Sequence, residues 1–186
     1  MNLSLPQTYL LGLVSLLSIV AVLVGRQLLK VRRDELTLVS LEQSGVANSN
    51  EAGELYELAS VQLRKRLYPQ AIKNLKQAIK NISEEPDEAR AIVENALGFA
   101  LAAEKDYESA TRHYRSALKA KADYPVALNN LALAEEKLLH QDEAAKLYKQ
   151  VLNLDPKNKT ARTRLKRLEK MRLSTPSPET TNSRGF

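Results

Sequence analysis

At 186 residues, 44% of them hydrophobic and none cysteine, the chain is long enough for one ordinary domain plus appendages, and it has no route to disulfides, thiolate metal sites or a cysteine nucleophile. Glycine and proline are scarce and tryptophan is absent, which suits helices better than sheets. The net charge of +6 is uneven: residues 1–41 carry four basic and two acidic groups, 42–155 carry 15 and 18, and 156–186 carry nine and two, so the basic character belongs to the two ends and no nucleic-acid partner is expected.

No charged side chain occurs from Met1 to Gly25, and Tyr9 to Val24 is almost unbroken apolar sequence. As a helix, residues 3–24 would measure about 33 Å, enough to cross a hydrocarbon core of roughly 30 Å. A secretory signal wants basic residues before the run and small residues at a cleavage site; neither is present. The positive charges Arg26, Lys30, Arg32 and Arg33 follow at once. The stretch therefore reads as a single-pass anchor. Its N-terminus is expected on the lumenal or periplasmic side, and the rest of the chain in the cytoplasm or stroma. Residues 27–41 remain helix-compatible, extending the anchor as a stalk (1–41 together) or lying on the membrane surface. Residues 42–50, with Ser44-Gly45 and Asn48-Ser49-Asn50, read as a short flexible linker.

From residue 51 the pattern repeats. Ala71, Leu75 and Ala78 return as Ala110, Tyr114 and Ala117, and again as Ala144, Tyr148 and Val151. At 3.6 residues per turn these positions share one helical face, where small residues let a second helix approach and a bulky one fills the gap. The paired first helices carry Leu58-Ala59, Leu97-Gly98 and Leu131-Ala132. Ala110 to Ala144 spans 34 residues and Ala71 to Ala110 spans 39, which places five extra residues near Ser83–Asp87. Pro86 suits a first helical turn, so the second unit's first helix should begin early and project a turn beyond its neighbours. The fold class is all-α, with three helix-turn-helix units at about 52–85, 91–124 and 125–158. Such units cannot bury their apolar faces alone, and a capping helix over 158–173 closes the stack within a domain of 51–173. Ala161, Leu165 and Leu168 lie on its inner face. Arg164, Lys166, Arg167 and Lys170 form a basic outer surface, suited to anionic lipid or an acidic protein. Residues 174–186 are too polar and proline-rich to pack and are expected to be disordered.

The 34-residue period, the large-small pairs and the closing Asp155-Pro156 resemble the tetratricopeptide repeat, although Leu55, Glu94 and Leu128 stand where its tryptophan is usual. The resemblance implies a concave groove lined by the first helix of each unit. Tyr56, Phe99 and Leu133 would be its apolar anchors, Asn95 and Asn129 its backbone-bonding amides, and Lys137 its cation. Family members that clamp chaperone C-termini use a basic set whose matching positions here are Tyr56, Ser60, Ala96, Val126 and Asn130. None is basic, so that binding is not expected.

Catalytic patterns are lacking. His113 and His140 have no second histidine or tight carboxylate cluster at ligand spacing and read as solvated surface. Glu84-Glu85 and Glu135-Glu136 read as solubilising charges, and no phosphate loop or nucleophile elbow occurs. An enzyme, a cofactor and a metal are therefore not expected. In order of parts, size and the third unit, from Asn129-Asn130-Leu131-Ala132 to Asn153-Leu154-Asp155-Pro156, the chain resembles the thylakoid-anchored tetratricopeptide proteins of cyanobacteria and plastids that assist photosystem I assembly. That resemblance implies a scaffold whose partners are photosystem I subunits or assembly intermediates. The alternative is a general bacterial inner-membrane scaffold for envelope or secretion machinery.

Overall fold

A computed structural model describes residues 5–82 and 86–174; residues 1–4, most of the expected insertion (83–85, including Glu84-Glu85) and the expected tail from 175 onward lie outside the described residues. Among the described residues, eight α-helices and one 3-10 turn follow in order: α1 Leu5–Gln43, the turn Val46–Asn48, α2 Ala52–Arg64, α3 Tyr68–Asn81, α4 Asp87–Ala103, α5 Tyr107–Ala120, α6 Pro125–Lys137, α7 Gln141–Leu154 and α8 Lys159–Ser174. No strand occurs among the described residues.

Helices α2/α3, α4/α5 and α6/α7 form hairpins that stack in sequence, with α8 closing one end against α7. Ala71, Ala78, Ala110, Ala117 and Ala144 are fully buried at the crossings, and Leu75, Tyr114 and Tyr148 fill the gaps between them. The second helices begin at Tyr68, Tyr107 and Gln141, the three corresponding positions of the repeat. With Pro86 at its N-cap, α4 runs 17 residues against 13 in α2 and α6, the extra turn that the proline predicts. Asp106 caps α5 by accepting from the Ser109 amide at 3.0 Å, and those bonds to Ser109 hold its carboxyl below the usual value.

Each first helix ends in the same way. Arg66, Lys105 and Leu139 have φ of 60°, 67° and 66°. The next residue's amide returns to a carbonyl five residues back: Leu67 to Gln62, Asp106 to Leu101 and His140 to Glu135, each at 2.9 Å. This left-handed termination usually falls to glycine, and here three non-glycine residues adopt it.

The other end of the stack is closed by α1. Leu38 and Val46 are buried with Leu58 and Val61 of α2, flanked by Leu41, Ala47 and Leu67. Burying such side chains is worth about 1.5–3 kcal/mol each. Arg64 Nε meets Asp34 Oδ1 and Lys65 Nζ meets Glu35 Oε1, both at 3.1 Å. The expected flexible linker differs accordingly: α1 continues to Gln43, Gly45 turns the chain with φ 76°, and Val46 inserts into this cluster. Of the stalk's apolar residues, Leu38 and Leu41 pack against the array, whereas Leu28, Leu29, Val31, Leu36 and Val39 remain exposed.

Candidate partner-binding groove

The first helices of the units run parallel, with their early residues at one level. Asn130 Nδ2 donates to Asn95 Oδ1 at 3.0 Å, and Asn95 Nδ2 donates to the Tyr124 hydroxyl at 3.5 Å. Burial first, then the neighbouring Tyr56, raises the Tyr124 phenol above its ordinary pKa. Tyr56, Asn95, Tyr124 and Asn130 therefore form one polar row across the concave face.

One turn further along, the face becomes apolar. A cleft of about 210 Å³ opens between α4 and α6, lined by Phe99, Ala103, Tyr107, Asn130, Leu133 and Lys137 among others. Phe99 and Leu133 remain 45% and 37% exposed although both also line this cleft, and Ile92 and Val126 are exposed on the far side of the polar row at 40% and 54%. Three of the six expected groove residues, Phe99, Leu133 and Lys137, are thus brought together, while Tyr56 and Asn95 lie in the polar row. Asn95 spends both ends of its amide within that row. The Asn129 Oδ1 is buried without a hydrogen-bond partner among the described residues, while the residue as a whole is part-exposed. Asn130, the next residue along, is the amide that lines the cleft.

The basic surface of α8 divides in two. Arg164 Nη1 reaches Glu136 Oε1 at 3.2 Å, Arg167 pairs with the same oxygen, and the Tyr148 hydroxyl donates to Glu136 Oε2 at 3.2 Å. Burial raises the Tyr148 phenol while Arg164 opposes the shift. Arg164 and Arg167 therefore fasten the cap to α6, whereas Lys166 and Lys170 face solvent.

His113, 28% exposed, departs from the solvated reading, whereas His140 stays 62% exposed; both nonetheless have carboxylate partners. His113 Nδ1 lies 2.7 Å from Glu94 Oε2, and His140 Nδ1 lies 2.7 Å from Glu135 Oε2. Arg115 holds the other oxygen of Glu135. Glu94 and Glu135 are 6% and 1% exposed, so neither Glu135 nor Glu136 is a merely solubilising charge. A buried carboxylate without a partner costs several kcal/mol, and these partners pin α4 to α5 and α5 to α6. The signal for Glu94 was its place: it occupies the repeat position where an aromatic is usually buried, so it required a counter-group.

No protein-family model matches the chain. It is 36% identical over 163 residues to the tetratricopeptide repeat domain-containing protein PYG7, chloroplastic, of Arabidopsis thaliana, covering 88% of this chain and 54% of that one; the chain thus spans about half the length of that relative. To the ycf37 protein of Guillardia theta it is 33% identical over 167 residues, covering 89% of this chain and 93% of that one. Among solved structures, the first tetratricopeptide domain of RPAP3 bound to an HSP90 peptide superposes with a TM-score of 0.62 at 21% identity, over 68% of this chain and 97% of that one, a likeness of fold. The parallel first helices, the small-residue crossings and the near-complete alignment with an algal relative converge on one assignment: the chain belongs to the ycf37 family of tetratricopeptide-repeat proteins.

Proposed function

We propose that this protein is a non-catalytic, membrane-anchored scaffold whose concave face holds a segment of a partner protein, and that the partner is a photosystem I subunit or assembly intermediate. The exposed pair Phe99 and Leu133 over an open cleft carries the binding part of this reading, because apolar side chains at the centre of a concave surface are where binding energy concentrates. The anchor is α1, whose span from Tyr9 onward has a mean hydropathy of 2.1 with none of that window buried, followed by Arg26, Lys30, Arg32 and Arg33 on the cytoplasmic or stromal side. The chloroplastic relative supports a photosynthetic membrane, the thylakoid, and favours it over a general inner-membrane scaffold.

The test is capture of tagged protein from detergent-solubilised thylakoids. Phe99→Ala with Leu133→Ala should lower recovery of photosystem I subunits at least about tenfold, as loss of two central anchors implies, with far-UV circular dichroism unchanged. Undiminished recovery from a folded double variant would remove the groove from the function. Absence of photosystem I subunits from the wild-type eluate would remove the partner.

A further inference from the structure

The register between α1 and α2 fixes which edge of the array looks toward the membrane. α1 runs away from its apolar segment, turns at Gly45, and α2 returns antiparallel, so that Arg64 and Lys65 at its end meet Asp34 and Glu35. Asp34 stands ten residues past Val24, about 15 Å along the helix. The first helices are parallel and level, as the row of Tyr56, Asn95 and Asn130 shows. The turns that follow them, at Arg66, Lys105 and Leu139, therefore share the edge nearest the lipid. The end of α8 reaches the same edge, because Arg172 lies 4.0 Å from Asp142 just past the third turn.

That edge has the chemistry of a lipid-facing surface. Arg66, Lys105, Lys137 and Lys170 are exposed on it, and Lys166 is exposed about 9 Å along α8 from Arg172. Leu139 and Leu173 project from it with 78% and 89% exposure. Of its acidic groups, Asp106 is engaged in capping α5, Asp142 faces Arg172 and Glu143 pairs with Lys146, leaving Glu104, Glu108 and Glu169 as the counterweight. The opposite edge, where the units join one another, presents Glu51, Glu54, Asp87, Glu88, Asp123 and Asp155 against Lys80, Lys119, Lys121, Lys157 and Lys159 among the described residues, a weaker basic character than the edge near the lipid. Headgroups add roughly 5–8 Å beyond the hydrocarbon on each side, so the edge sits within about one screening length of an anionic surface.

We infer that the edge carrying Arg66, Lys105, Leu139, Lys166, Lys170 and Leu173 docks on anionic lipid headgroups, laying the array along the membrane rather than holding it upright in solvent. The inference rests on the reading of α1 as a membrane span. The concave face then opens sideways, parallel to the bilayer, where it would meet loops of a neighbouring membrane protein.

Because the chain has no cysteine, single fluorophores can be placed on the full-length protein by Leu139→Cys, Leu173→Cys, Asp123→Cys and Ser15→Cys. Each is reconstituted into phosphatidylcholine vesicles with or without about 30% phosphatidylglycerol, and quenched by brominated acyl chains or by headgroup spin labels. Positions 139 and 173 should be quenched by headgroup labels at least about twofold more than position 123 in anionic vesicles, with the contrast falling in neutral vesicles and after Lys166→Glu with Lys170→Glu. Position 15 should be quenched by brominated chains in both. Equal quenching at 139, 173 and 123, with position 15 deeply quenched, would overturn the docking alone. An unquenched position 15 would overturn the membrane reading and the docking with it.

Discussion

Gly98 stands where the first and third units have Ala59 and Ala132, and a Cβ placed on it would fall 2.7 Å from the ring of Tyr114. Two effects oppose each other in Gly98→Ala. Alanine gains about 1 kcal/mol of helix propensity, while overlap with a ring that is 2% exposed costs about 1–3 kcal/mol. The overlap should win, so the variant should melt earlier than the wild type. In a Tyr114→Leu background, which copies the Leu75 opposite Ala59, the same substitution should become stabilising. Thermal denaturation of all four proteins checks that reversal of sign. The three left-handed residues make the complementary case. Arg66→Gly, Lys105→Gly and Leu139→Gly should each stabilise by about 1 kcal/mol, since glycine alone meets no steric penalty there, and Leu139→Ile should destabilise. Equal melting temperatures across that series would show that the turns relax without cost.

Helix positions were legible where the signal acts locally: Pro86 and the recurrent alanines each announce themselves within one turn of the helix they govern. The junction of α1 with α2 was not. Leu38 and Leu41 among charges look the same whether they meet lipid, water or another helix, and Asp34 finds Arg64 thirty residues away. The candidate groove was half legible for a related reason. Repeat register places Phe99, Leu133 and Lys137 on one face, but whether an amide such as Asn95 points outward depends on Asn130 and Tyr124, which its own helix does not specify. The histidine pairs likewise needed the neighbouring helix to be visible. Treating the end of α1 as part of the array gives a prediction at this scale. A fragment beginning at residue 51 should lose amide-exchange protection in α2 and α3, where Leu58 and Val61 become exposed, while α6 and α7 keep theirs. Stacked repeats transmit stability only to neighbours, so uniform loss across all units would contradict this picture.

For the molecule as a whole, the consequence of an unbroken α1 is that the proposed anchor and the array turn together. A flexible linker would make the array indifferent to small changes in tether length. A continuous helix does not, because each inserted residue rotates everything beyond it by about 100° and lifts it by about 1.5 Å. Alanines inserted between Gln27 and Leu28, outside both the apolar run and the Leu38 cluster, separate the two cases. One or two residues should swing the edge proposed to face lipid away and lower photosystem I recovery in the capture experiment. Four residues bring the phase back to within about 40°, and seven to within about 20° at a height about 10 Å greater. Recovery should therefore fall, return at four, and weaken again at seven if height matters as well as direction. A recovery that declines steadily with the number of residues, or does not change, would mean that α1 bends freely above the membrane and that Asp34 and Glu35 do not hold the array in the orientation from which its groove acts.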